Sequence, residues 1–444
     1  MKAPRFLTRR QLLHSALLGT GVLGLQSALS GIPLSVLRTG IIPSAWAEEA
    51  EDTQFLLLNT STQGDPFNAN VPGCYNVPGV FTNKTDEMEP TPLMLGASAW
   101  DAAKPWSTLP QWVLDRTTFI HHRTYQNAHP QYAKVMTLLG NVKPESGNGT
   151  DHLSALFGAQ NQAALSTIQQ EQVALGRARV SFQGRSIQSL QPTLLKTMLA
   201  PLNPRQAQAQ ALRDSALDSI HGILNQSGTP AQRQWLERHA LSRQQARGIN
   251  ENLLSRLEMI QDNGQDSQIQ AAIVMFLMKV SPVVTIQVDF GQDNHADADL
   301  IKESTQTVAG VASLKKMFED LQSAGLQDKV TFANFNVFGR TLRDQNNKGR
   351  DHNLNHHVMM ITGKHINPGV IGSIERVGRD FGAMAIDSTT GAGVPKEDAA
   401  NADIQADASL ESAAKTLARA LAVPNVDVEQ RINRGMAIAA ALKI

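Results

Sequence analysis

The chain has 444 residues, and its 40 basic and 40 acidic side chains give a formal net charge of +0 with the 12 histidines neutral, which offers no electrostatic basis for a nucleic-acid partner. At 41% hydrophobic and 18% charged residues it can bury a large core, which excludes a disordered or low-complexity protein. Its single cysteine, Cys74, excludes an intramolecular disulfide framework and any zinc site built from thiolate clusters, so a bound metal would need His, Asp, Glu or Asn ligands.

The first 47 residues read as a targeting segment outside the fold. Lys2, Arg5, Arg9 and Arg10 form a basic start, the stretch from Leu12 to Leu37 is mostly apolar and broken by glycines, and Ala45-Trp46-Ala47 is the small-x-small pattern a signal peptidase accepts. The adjacent Arg9 and Arg10 in Thr8-Arg9-Arg10-Gln11-Leu12-Leu13 resemble a twin-arginine signature, which implies export of an already folded chain to the periplasm or beyond, with the twin-arginine translocase as a transient partner. The competing reading is an uncleaved membrane anchor, since the apolar stretch is long enough to span a bilayer. Cleavage after Ala47 removes five basic residues (Lys2, Arg5, Arg9, Arg10, Arg38) and no acidic one, leaving a mildly acidic domain over 48–444, as suits a soluble exported protein.

Past the signal, short β-rich runs alternate with long helical stretches. Strands are expected at Phe55–Asn59, Thr117–His122, Pro282–Phe290, Val330–Phe338 and His357–Thr362, with a long Gly-, Pro- and Asn-rich loop over Gly64–Pro92. In the third strand Val284, Ile286, Val288 and Phe290 should face one way and Val283, Thr285, Gln287 and Asp289 the other. A helix-like run from Ala298 to Ala324, stopped at Gly325, joins the third strand to the fourth and implies that they are parallel. The 160 or so residues between the second and third strands read as almost wholly helical, with Leu212, Ala216, Ile220 and Leu224 repeating every four residues. The expected architecture is a single α/β domain, a mostly parallel sheet flanked by helices, carrying a helical insertion at about residues 160–265. No GxGxxG or GxxxxGK[ST] is present, so a nucleotide-binding Rossmann or P-loop site has no support.

Parallel α/β sheets bind ligands beyond the carboxyl ends of their strands, and the polar residues of this chain gather there. Gly64-Asp65-Pro66-Phe67-Asn68 follows the first strand, His121-His122-Arg123 and then Asn127-Ala128-His129 the second, Gly291-Gln292-Asp293-Asn294-His295 the third, and Gly339-Arg340-Thr341 with Asp351-His352 the fourth. Asp-and-His elements at three strand ends compose an oxygen and nitrogen site for Zn²⁺, Mn²⁺ or a similar divalent ion. Each Asp-x-His or Asp-His pair taken singly is as well explained by a loop cap. The five donors of Arg340 suit an oxyanion clamp, or equally a structural pairing with a loop carboxylate. His121, His122, His356 and His357 read as strand-edge packing or exposed residues.

Together these motifs resemble, in order and spacing, an uncharacterised family of twin-arginine-exported bacterial proteins, a domain of unknown function whose motifs read approximately GGxDGLN, GGWDTH, SEFGRT and TDHG. The corresponding stretches here are Gly64–Asn68, Phe290–His295, Phe335–Thr341 and Asp351-His352. The family is placed with the alkaline phosphatase and sulfatase superfamily, so the resemblance implies an alkaline-phosphatase-like core. It implies Asp65, Asp293, His295, Asp351 and His352 as metal ligands; the catalytic candidates are Arg340, a motif residue of unassigned role, and His129, which sits where the family has Ser-His before a helix. The chain departs from the pattern at Asn336-Val337, where the family has Ser-Glu, and at Ala128, which removes one natural nucleophile position. Two readings follow: an exported metal-dependent hydrolase of phosphate or sulfate esters acting on a small anionic substrate, or a member that keeps the fold without the chemistry and binds or assembles with another exported protein.

Overall fold

The computed structural model describes residues 54–124 apart from 62, 127–129, most of 173–199, scattered positions between 208 and 229, and 251–443 apart from 279–280, 292, 346–347 and 433. The signal segment 1–47, with its alternative reading as an anchor, lies outside the described residues, as do Ala216, Ile220 and Leu224 of the four-residue repeat. Among the described residues no helix is long and apolar enough to cross a membrane.

Seven strands among the described residues form the main sheet: β1 (Phe55–Ser61), β2 (Thr117–His122), β3 (Val173–Ala174), β4 (Val283–Ile286), β5 (Val330–Asn336), β6 (His357–Thr362) and β7 (Gly369–Ile371), in the order β7-β2-β6-β5-β1-β4-β3. β1 runs parallel to both β4 and β5, β3 is parallel to β4 and β7 to β2. Only β6 is reversed, antiparallel to β2 and β5. The sheet is therefore mostly parallel, and the start of β6 lies at the same edge as the ends of the other strands, with His357 opposite His122.

These strands read as continuous apolar runs because both faces are covered. On one face Phe55, Leu57, Phe119, Phe332, Val358 and Met360 join a core layer with helices α1 (Glu251–Glu258), α2 (Gln265–Leu277) and α3 (Ile301–Ser323). On the other, Leu56, Leu58, Ile120, Ala333, Met359 and Ile361 pack with helix α4 (Ser409–Ala420). The third strand is shorter than expected, ending at Ile286 rather than Phe290, but Val284, Ile286, Val288 and Phe290 do share the first layer while Val283 lies in the second. Each fully buried side chain of this size contributes about 1.5–3 kcal/mol, so the two layers define the strand register.

α3 is the crossover from β4 to β5. It stops where the sequence indicates, in a Schellman turn: Gly325 is left-handed at φ 68°, its N–H donates to Gln322 O and the N–H of Leu326 donates to Leu321 O, both at 2.9 Å. Two expectations need correction. The segment between β2 and β4 is not wholly helical, because Val173–Ala174 adds the edge strand β3 to the sheet and Val180–Phe182 pairs with Arg185–Ile187 in a hairpin. Elements of two or three residues are too short to show a period. The long loop likewise gives way at Pro90–Leu95, which pairs with Ser98–Ala103; its prolines are tolerated because this ribbon has only two strands.

Candidate metal centre

The carboxyl edge of the sheet collects four of the sequence candidates into one cluster. His129 follows β2, Asp293 and His295 follow β4, and His352 lies on a short ribbon beyond β5 in which Arg340 pairs with His352. One ligand atom from each of His129, Asp293, His295 and His352 lies within 4.8 Å of all the others. The Asp293 carboxylate bridges two imidazoles, with Oδ2 3.3 Å from His129 Nε2 and Oδ1 3.3 Å from His295 Nε2. The Nε2 atoms of His295 and His352 are 2.9 Å apart.

Hydrogen bonding settles the tautomers of those two rings. His295 Nδ1 faces Asp351 Oδ1 at 2.9 Å, and a carboxylate only accepts, so Nδ1 carries the proton. His352 Nδ1 faces the carbonyl oxygen of Asn127 and is protonated for the same reason. With Nδ1 protonated on both rings, both Nε2 atoms turn into the cluster, where His295 Nε2 also lies 3.3 Å from Arg340 Nη1, an arrangement suited to a cation between the rings, either a proton or a metal ion. Outer partners on the far nitrogen are the usual way in which metal-binding histidines are oriented. Burial holds His352 below the ordinary imidazole range, helped by Arg340, His295 and His129. Partial burial works to raise Asp293, but Arg340, His295 and His129 together outweigh it and hold the carboxylate below its usual range.

The donor set fits a borderline divalent ion: three imidazoles and one carboxylate. A tetrahedral Zn²⁺ at about 2.1 Å from each donor separates them by about 3.4 Å, so modest side-chain rotation closes the cluster onto an ion. His129, Asp293 and His295 keep 34–41% of their side-chain surface exposed, which leaves one side of the cluster open.

Three candidates take other places. Asp351 is not among the four converging donors, because its carboxylate is spent on the far side of the His295 ring. Asp65 is also outside the cluster. It is 2% exposed, precedes the buried turn Pro66–Ala69 and accepts a hydrogen bond from Asn336 Nδ2. Burial raises its carboxyl to about 7, with Asp289 adding to the shift. Arg340 is fully buried, and its N–H groups all have protein acceptors. Nε donates to Gly64 O, Nη2 to Gln63 O at 2.8 Å and Asp293 Oδ1 at 3.2 Å, and Nη1 to Arg350 O at 3.2 Å and His295 Nε2 at 3.3 Å. Of the two roles open to it, the geometry matches the structural pairing with a loop carboxylate.

The four strand-edge histidines are buried and stand apart from the cluster. His121 Nδ1 and His356 Nε2 are 2.9 Å apart, His356 Nδ1 faces Asn68 Nδ2 at 3.1 Å, and His121 Nε2 faces Pro72 O at 3.2 Å, one chain running from amide to carbonyl. Burial lowers His121 and His122 to about 4 and pushes His356 and His357 well below their usual value. The unfolded chain therefore binds more protons than the folded one below about pH 6.5, and stability is lost as pH falls from about 6.5 towards 4. Asp65 acts in the opposite sense, favouring the folded state when protonated and losing that contribution as pH rises from about 4 through 7. Urea titrations across pH 4–8 should show net acid lability from the histidines. Asp65→Asn should become more stable relative to the parent as pH rises across that range; a constant difference between the two would contradict the Asp65 shift.

Sequence reasoning overlooked the groups that orient the ligands. Asn68 lies inside a quoted motif, yet its part is to accept from the Arg340 N–H at 2.7 Å and donate to the Arg340 carbonyl at 2.9 Å. Nothing in the sequence marks the Asn127 carbonyl. Cys74 is closed to nucleophilic chemistry: it is buried, its thiol is pushed up to about 12 by burial, and Sγ donates to Asn68 O at 2.9 Å.

Residues 197–386 match the family model described as Protein of unknown function (DUF1501). The match covers less than half of the 444 residues and contains Asp293, His295, Arg340, Asp351 and His352 but neither Asp65 nor His129. No curated protein matches the chain.

Proposed function

We propose that the chain is an exported, metal-dependent hydrolase of phosphate or sulfate esters with an alkaline-phosphatase-like core. The observation that carries this reading is the pair of Nε2 lone pairs on His295 and His352, 2.9 Å apart and each fixed by a partner on the opposite nitrogen. The mostly parallel sheet and the four motifs support the core, and Arg9-Arg10 with Ala45-Trp46-Ala47 supports export through the twin-arginine translocase.

In this reading His129, Asp293, His295 and His352 hold the ion, which supplies Lewis acidity toward an ester oxygen. Asp351 keeps the His295 ring in the required tautomer, and Arg340 holds Asp293 and the first loop in place while lending positive charge beneath the cluster. The exposed faces of His129, Asp293 and His295 form the open side by which an anionic substrate approaches.

The test is hydrolysis of a panel of aryl phosphate and aryl sulfate esters by protein loaded with Zn²⁺ or Mn²⁺, beside Asp293→Ala. Turnover in the parent and a fall of at least about 100-fold in the variant is expected, the scale of a lost catalytic ligand. A loaded parent inactive on the whole panel would defeat the hydrolase reading. It would favour an exported binding or assembly protein, a reading to which buried Val337, in place of the family's Glu, and sequestered Cys74 already lend weight.

A further inference from the structure

Beside the cluster lies an ion pair that the proposed chemistry does not use. Glu303, in the first turn of α3, and Arg350, next to Asp351, are both fully buried. Arg350 Nε donates to Glu303 Oε2 at 2.6 Å and Nη2 to Oε1 at 3.2 Å, a fork matched to the carboxylate. The remaining acceptors are backbone: Nη1 donates to Thr341 O at 2.9 Å and Nη2 also reaches Phe81 O at 2.8 Å. On the other side Asn294 Nδ2, between Asp293 and His295, donates to Glu303 Oε2 at 3.1 Å.

The two ligand loops meet at this pair. Arg350 N donates to Asn294 O at 3.2 Å and Gly349 N to His295 O at 3.0 Å. Their backbones are so close that a Cβ on Gly349 would fall on the Asn294 carbonyl oxygen, which is why glycine stands there. Asp297 closes the arrangement from below by accepting the N–H of Glu303 at 2.8 Å and of Lys302 at 3.1 Å. A buried ion pair is poor value for stability, since an apolar pair of similar volume does as well or better, whereas removing one partner leaves a buried charge. What a forked, backbone-anchored pair does supply is a fixed distance and orientation between the segments it joins.

We propose that Glu303 and Arg350 are positioning residues for the metal centre: a brace that holds the Asp293–His295 loop against the Asp351–His352 strand at the spacing ligation requires. The brace rests on the metal reading of the cluster for its purpose, though not for its existence. It predicts that losing the pair loosens the two ligand loops and weakens metal binding while the central strands keep their protection.

The test compares the full-length parent with Glu303→Leu/Arg350→Met, which removes both charges, and with Glu303→Gln, which keeps the shape and the contact to Asn294 but replaces one of the two oxygens gripped by Arg350 with an NH2 donor, breaking the fork. Zn²⁺ titration, urea unfolding and amide hydrogen exchange are measured on each. The expected result is a double variant that folds with a lowered urea midpoint, since Thr341 O, Phe81 O and Asn294 Nδ2 lose their partners, with Zn²⁺ affinity weaker by about 10–100-fold, the range seen when outer partners of metal ligands are lost, and with faster exchange at 293–297 and 349–352 while the central strands are unchanged. Glu303→Gln serves the same comparison if the double variant does not fold. Parent-like affinity and parent-like exchange in either folded variant would overturn the brace. A parent that binds no Zn²⁺ would defeat the metal reading instead, and the exchange comparison would still decide whether the pair holds the two loops.

Discussion

The double variant Asp293→Ala/His295→Ala should carry less than about a tenth of the divalent metal found in the parent, both purified without chelator and measured by elemental analysis after Zn²⁺ or Mn²⁺ loading. These two residues supply two of the four converging donors, and they supply the central ones. Asp293 contacts both His129 and His295, and His295 contacts both Asp293 and His352. Without them His129 and His352 are left as two imidazoles on separate loops, and a pair of neutral nitrogens is a weak site for a borderline ion. Both residues are more than a third exposed; losing Asp293 takes the carboxylate from the buried Arg340, but the carbonyls of Gly64, Gln63 and Arg350 still accept its N–H groups, so the variant should stay folded. Near-equal metal in parent and variant would place the ion elsewhere; no metal in a folded, loaded parent would mean that the cation between His295 and His352 is a proton.

Arg340→Ala should cost about 3–5 kcal/mol of unfolding free energy, read from the urea midpoint, the range for stranding partners of a buried charge. The ion pair itself is a minor part of this. Asp293 is 41% exposed, so solvent screens its attraction to the guanidinium. The larger part comes from the carbonyls of Gln63, Gly64 and Arg350, which lose their donor inside the protein at about 1–3 kcal/mol each before the site relaxes. Arg340→Lys should recover little, because an ammonium cannot present donors to three loops in one plane. A loss below about 1 kcal/mol with metal binding intact and ester turnover abolished would return Arg340 to the role of an oxyanion clamp.

Much of the sheet is legible in the sequence because strands covered on both faces must be apolar throughout. Phe55-Leu56-Leu57-Leu58 divides between the two core layers residue by residue, and Thr117–His122 and His357–Thr362 have the ends expected of them. The stop of α3 is legible for a different reason: a left-handed position after a helix selects glycine, and Gly325 with Leu326 is a local pattern. The gathering of His and Asp side chains at the strand ends was legible as well, since Asp-x-His and Asp-His follow apolar runs.

The direction of β6 was not legible, nor was the edge strand β3. A strand's apolar pattern is the same in either direction, so reversal is decided by the connections and by its neighbours β2 and β5. The choice among the acidic candidates was settled in the same way. Asp65, Asp293 and Asp351 all follow strands, yet only Asp293 turns its carboxylate toward the histidines, while Asp351 grips the back of one ring and Asp65 is drawn down to Asn336, 271 residues away in the chain. His129, flagged as a catalytic candidate, proves to share the ligand cluster.

What the sequence by itself determined is therefore composition at each place: apolar runs for the sheet, a stop for the crossover helix, and oxygen and nitrogen donors without thiolates at the strand ends, all properties carried by neighbouring residues. Which donors converge, and whether Arg340 presents its N–H groups to a substrate or to the protein, was decided only in the tertiary structure. A hydrogen bond is directional and short-ranged, and the partners that aim these side chains come from segments that meet only once the sheet has formed.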